Sequence, residues 1–126
     1  MANESKYIWL NGEFIEFEKA VFHFNTPALH YGLGAFEGIR CYDTAKGPAI
    51  FRLKDHLRRL IDSVKIFGLN ELPFSFDQLY QAALKTVAVN EFKECYVRPL
   101  VFFSGPQSLT LDDLEVNVGI STWKWG

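Results

Sequence analysis

Several things are scarce in this chain, and each shortage removes a class of protein. Two cysteines in 126 residues, Cys41 and Cys95, cannot frame a disulfide scaffold and form no metal-ligand spacing. His23, His30 and His56 share no metal-site spacing either, so no metal is expected. No apolar run approaches the length of a membrane span. Charged residues are 22% of the chain and nearly balanced, for a formal charge of −2, which supplies no basic field for nucleic acid or an anionic membrane. The stretch from Met1 to Lys6 lacks the charged-then-apolar pattern of a secretion signal, and the cytoplasm is the expected compartment. There are no repeats and no low-complexity segment. Nucleophile-elbow, P-loop and dinucleotide-binding glycine patterns are absent too, leaving hydrolase, NTPase and Rossmann readings unsupported.

What is present is apolar and aromatic. Hydrophobic residues make up 48% and aromatics 16%, twelve of them Phe, enough for one well-filled core or a buried contact surface. The densest stretch is His30-Tyr31-Gly32-Leu33-Gly34-Ala35-Phe36-Glu37-Gly38-Ile39-Arg40. Glycines spaced between large aromatics, a carboxylate and a cation suit the lip of a pocket better than a plain core strand.

The elements follow in order. Tyr7 to Leu10, Asn11-Gly12 and Phe14 to Phe17 read as a hairpin. Val21 to Phe24 reads as a short extended piece, and Ala28 to Gly34 as irregular or one helical turn. Ala35 to Tyr42 reads as one strand, which puts Phe36, Gly38 and Arg40 on one face and Glu37, Ile39 and Cys41 on the other. Ala49 to Phe51 is its return.

Leu57, Leu60, Ile61, Val64 and Phe67 predict a helix over 53–67, with Gly68 at its end. Ser75-Phe76-Asp77-Gln78 is the outline of a capping box opening a second helix to Val89. Cys95 to Phe103 is a strand with Tyr96, Arg98, Leu100 and Phe102 on one face. Its Pro99 implies an edge position or a bulge. Val116 to Trp123 is the last strand. Strands, two helices, then strands predict an α+β domain: a two-layer fold with a mostly antiparallel sheet and two helices packed on one face. The other face is left for solvent, another subunit or a second domain, and self-association is expected.

Arginine's planar fork suits carboxylates and phosphates. Arg40 and Arg98 each share a strand face with an aromatic residue, and Arg58 and Arg59 are adjacent on the first helix. Any one of them alone reads first as a solvated or ion-paired cation; two strand arginines, each with an aromatic on its own face, point together toward an anion-binding pocket. Glu37 either pairs with an arginine or faces water. His56 lies three residues from Arg59 on the helix and reads as part of a polar face.

The stretch Leu29 to Tyr42 resembles the signature of branched-chain amino acid aminotransferases, fold-type IV enzymes that depend on pyridoxal 5'-phosphate. Tyr7 to Glu13, Phe51 to Leu60, Tyr96 to Val101 and the closing Trp125-Gly126 resemble the family in the same order. The resemblance implies that Arg59 holds the cofactor phosphate. It implies that Tyr31, Phe36, Tyr96 and Trp125 wall the substrate side-chain pocket and that Gly38 leaves it room. Arg98 with Tyr96 would receive the distal carboxylate of glutamate or 2-oxoglutarate, and Arg40 would help organise the site. The implied activity is transfer of the amino group of Leu, Ile or Val to 2-oxoglutarate.

One departure limits this expectation. The family lysine that links the cofactor lies beyond the Trp-Gly, and Lys6, Lys19, Lys46, Lys54, Lys65, Lys85, Lys93 and Lys124 match none in that role. Residues 1–126 are thus expected to be an N-terminal small domain, inactive alone, whose parent carries the cofactor lysine in a C-terminal domain. The loop from Phe103 to Ser108 differs from the family arrangement. Same-fold D-amino acid aminotransferases and aminodeoxychorismate lyases are alternatives, though they usually have Gly-Asp-Gly where this chain has Gly32-Leu33-Gly34. A non-catalytic binding module is the alternative from another class.

Overall fold

Asn11 and Gly12 adopt φ of 51° and 96°, the left-handed values a two-residue hairpin turn requires and these residue types tolerate best. In the computed structural model, which describes residues 5–107 and 111–124, this turn joins β1 (Tyr7–Leu10) to β2 (Glu13–Glu16). Val21 to Phe24, expected to be extended, forms no strand. Its backbone is satisfied locally, with Val21 N–H donating to Lys19 O and Thr26 N–H to His23 O, each at 3.0 Å. The short helix α1 (Pro27–Tyr31) starts on a proline and stops at Gly32, whose φ is 65°.

The remaining elements are β3 (Gly34–Phe36), β4 (Ile39–Thr44), β5 (Gly47–Ile50), α2 (Leu53–Lys65), α3 (Phe76–Val89), β6 (Cys95–Ser104) and β7 (Glu115–Trp123). The capping box is formed: Gln78 N–H donates to Ser75 Oγ at 3.1 Å, and Ser75 N–H donates to Gln78 Oε1 at 2.8 Å. Sheet order is β2-β1-β7-β6-β4-β5, with β3 also on β6, and every pairing is antiparallel.

Period-two alternation assigns the two faces. Val97, Val101, Val118, Ile120, Ile39, Cys41 and Cys95 are buried against Leu53, Leu57, Leu60 and Val64 of α2 and Leu79, Ala83 and Val87 of α3. Each fully buried Leu or Val contributes about 1.5–3 kcal/mol of transfer free energy. This is the expected two-layer α+β arrangement. Cys41 and Cys95 face each other in the β4–β6 ladder; burial pushes both thiols up, Cys95 to about 12, so they behave as small core side chains.

On the opposite face the chain partly covers itself. The Phe22 ring meets Phe102 edge-on at 4.7 Å. Residues Thr26, Ala28 and Leu29 of the α1 region close one side of an apolar cleft whose other wall is Leu100 and Phe102. Thus α1 and the segment before it lie across the sheet from α2 and α3.

Candidate functional site

The strand expected from Ala35 to Tyr42 is split at Glu37-Gly38, but its register does not slip. Phe36 faces Leu100 at the end of β3 and Ile39 faces Val97 at the start of β4. Glu37 and Gly38 therefore stand opposite Pro99 and Arg98. Pro99 has no amide hydrogen, so the ladder loses a bond there. The expected edge or bulge is not formed: β6 is central, flanked by β7 and by β3 and β4. Alternation survives the break, with Glu37, Ile39 and Cys41 buried and Phe36 and Arg40 exposed.

Glu37 thus points to the helix side, where its carboxylate is 4% exposed. Arg59 on α2 grips it in two places, Nε donating to Oε2 at 2.8 Å and Nη2 to Oε1 at 2.7 Å. His56 Nδ1 donates to Oε1 at 2.8 Å. Arg59's two hydrogen bonds hold the Glu37 carboxyl below its ordinary value of 4.5, against the opposing effect of burial and with help from His56. The same bonds push the Arg59 guanidinium up. Although fixed by Glu37, the Arg59 side chain is 69% exposed, and its Nη1 stays outside the pair. Arg59 and His56 line an open cleft of about 290 Å³ with Phe51, Arg52 and Asp55.

Arg58 diverges from its neighbour. It lies 3.9 Å from Asp55, and its guanidinium stands over the Phe76 ring at 5.3 Å. Tertiary structure therefore separates the twin arginines: one is braced beside a cleft and the other is laid on α3. His56, read from the sequence as part of a polar face, is only 21% exposed and engaged with Glu37. The i, i+3 spacing of His56 and Arg59 was the available signal, but it names no partner. Glu37 is the residue that sequence reasoning left undecided. Its depth in the core could be found only once the strand and α2 were docked.

Across the sheet, Arg98 occupies an aromatic cage. Its guanidinium is 4.2 Å from the Phe36 ring centre, 5.5 Å from Trp123 and 5.7 Å from Tyr96. Tyr96 and Trp123 are stacked at 5.4 Å with planes 14° apart. Arg98 Nε donates to the Glu37 backbone carbonyl at 3.1 Å. Trp123 was not anticipated as part of this cluster, because its cross-strand pairing with Tyr96 depends on the β6–β7 register.

Gly38 lies under the Tyr96 hydroxyl. A Cβ there would come within 2.2 Å of Tyr96 Oη and 3.0 Å of Cζ, so the room expected at Gly38 is filled by tyrosine. Arg40 is exposed opposite Tyr96. Tyr31 belongs to α1, and its ring is tilted against His30 at 6.2 Å. The structure thus brings Phe36, Gly38, Tyr96 and Arg98 together, with Arg40 beside them on the same face and Arg59 joined through Glu37 from the other. Trp125 lies outside the described residues.

Comparison with known proteins adds a second line. Residues 34–125 match the family model described as amino-transferase class IV. The chain is 42% identical over 127 residues to the branched-chain-amino-acid aminotransferase of Pseudomonas aeruginosa, an alignment spanning 100% of this chain and 41% of that protein. It is 44% identical over 99 residues to the Escherichia coli protein of the same name, covering 79% of this chain and 32% of that one. Among solved structures, Escherichia coli branched-chain amino acid aminotransferase matches with TM-score 0.91 at 39% identity, covering 97% of this chain and 40% of that one. A T.th. branched-chain amino acid aminotransferase complexed with N-(5'-phosphopyridoxyl)-L-glutamate matches with TM-score 0.91 at 40% identity, covering 97% and 41%. The chain spans about two fifths of the length of the curated relatives it matches.

Proposed function

The chain belongs to the class IV amino-transferase family, and from that membership we propose that it is the N-terminal small domain of a branched-chain amino acid aminotransferase. In this reading it anchors the phosphate of pyridoxal 5'-phosphate and walls the substrate pocket. The observation that carries it is the state of Arg59: a guanidinium locked by a buried carboxylate yet largely exposed at a cleft. A phosphate needs donors that are charged, fixed and accessible, and Arg59 meets all three requirements.

When bound, pyridoxal 5'-phosphate supplies the electron sink for amino-group transfer. This chain's residues bind and orient. Arg59 holds the phosphate. Arg98, held among Phe36, Tyr96 and Trp123, receives the distal carboxylate of glutamate or 2-oxoglutarate together with Tyr96. Phe36, Tyr31, Tyr96 and Trp125 surround the side chain of Leu, Ile or Val, with Gly38 admitting the Tyr96 ring and Arg40 ordering the same face. The lysine that links the cofactor belongs to a C-terminal domain of the parent, which acts as a homo-oligomer. The 126-residue chain alone is inactive.

The reading is tested in the full-length enzyme. Arg59→Ala weakens cofactor retention on dialysis roughly tenfold or more, the scale of a lost charge-assisted hydrogen bond, while Arg58→Ala changes it little. Equal losses for the two variants would overturn the assignment of the phosphate to Arg59.

A further inference from the structure

In an antiparallel ladder a residue's N–H and C=O point to the same side, and directly opposed residues exchange either two hydrogen bonds or none. Glu37 and Pro99 form an exchanging pair, since the Glu37 N–H donates to the Pro99 carbonyl at 3.1 Å. The return bond would run from the residue 99 amide to the Glu37 carbonyl, and proline has no hydrogen to give. That carbonyl is taken by the neighbouring side chain: Arg98 Nε donates to it at 3.1 Å. Any other residue type at position 99 would bring an amide hydrogen to the same acceptor along the ladder direction, and Arg98 would then share the oxygen rather than hold it alone. The carboxylate of the same Glu37 holds Arg59 from the opposite face of the sheet.

We infer that Glu37 and Pro99 form one positioning unit for two anion-binding arginines. Pro99, by lacking a donor, reserves the Glu37 carbonyl for Arg98, and the Glu37 carboxylate presets Arg59. With Nε anchored and the guanidinium held among three rings, the two Nη groups of Arg98 form a fork whose orientation is settled before an anion arrives. Pre-set side chains lose less freedom on binding. What the arginines bind rests on the reading above; how they are held does not.

The test uses the 126-residue chain labelled with 15N-arginine and follows proton exchange at each Nε–H, with Arg59→Lys and Arg98→Lys assigning the two signals. Both protons exchange slowly in the unaltered chain. In Pro99→Ala, exchange at Arg98 rises about tenfold, the protection of one hydrogen bond of ordinary net strength, and Arg59 is unchanged. Pro99→Val, which restores a donor with a good strand former, gives the same result. Glu37→Gln shows the reverse pattern: Arg59 exchanges faster, while Arg98 keeps its backbone acceptor. Undiminished protection of Arg98 in both Pro99 variants overturns the inference, as does equal loss at both arginines in every variant, which would mark general loosening. Because proton exchange is read without cofactor or substrate, its failure leaves the phosphate assignment standing. A failed retention test for Arg59 likewise leaves this inference standing.

Discussion

Replacing Gly38 by alanine places a methyl carbon where the Tyr96 phenol already sits. The new Cβ would lie 2.2 Å from Tyr96 Oη, 3.0 Å from Cζ and 3.3 Å from Cε1. Ordinary contact begins at 3.4 Å, so the tip of the tyrosine must swing away. Its ring is not free to do so at no cost. It is stacked on Trp123 at 5.4 Å and is one wall of the Arg98 cage. Breaking an aromatic pair costs about 0.5–1.5 kcal/mol, and an inserted methyl in a packed site costs about 1–3 kcal/mol. The two overlap, because displacing the ring is how the methyl is accommodated, so Gly38→Ala destabilises by about 1–3 kcal/mol.

Urea unfolding measures this as a lowered midpoint at unchanged slope. Tyr96→Phe removes the closest atom. In that background the alanine substitution costs less, with a coupling of at least about 0.5 kcal/mol in the double-mutant cycle. Additive effects, or a Gly38→Ala midpoint equal to that of the unaltered chain, would refute the claim that tyrosine occupies the space over Gly38.

Two further outcomes are expected. Glu37 has a folded-state pKa below 4.5, chiefly because Arg59's hydrogen bonds favour its charged form. Its contribution to stability is then fully present above that value and is lost as pH falls through the lower folded one. Urea midpoints taken between about pH 6 and pH 3 should show this acid loss, and Glu37→Gln should flatten it; an identical acid slope in the variant would contradict the Glu37–Arg59 pairing. The isolated 126-residue chain should carry no cofactor fixable by borohydride and show no transamination of leucine with 2-oxoglutarate. A specific lysine trapped in this chain would reverse that expectation.

Local signals carried most of the architecture. The hairpin at Asn11-Gly12, the capping box at Ser75, the stripe of Leu57, Leu60 and Val64 and the alternation in β6 each depend on neighbours within a few residues, and each stands where it was read. Val21 to Phe24, read as a short extended piece, joins no ladder for the complementary reason. An apolar run becomes a strand only if another strand offers it an edge, and here Phe22 settles on Phe102 while the backbone closes on itself.

By itself the sequence determined which residues could bind anions and which strand faces they would share, because residue chemistry and period-two alternation are both local properties. It also held Pro99, whose missing donor is written in the residue type. Only the tertiary structure gave Arg58 and Arg59 different partners, Phe76 for one and Glu37 for the other, because those contacts depend on α2 docking over a buried Glu37 nineteen residues before His56. Only the β6–β7 register brought Trp123 onto Tyr96. And only the docking of β3 and β4 against β6 set the Glu37 carbonyl opposite a proline, leaving it for Arg98.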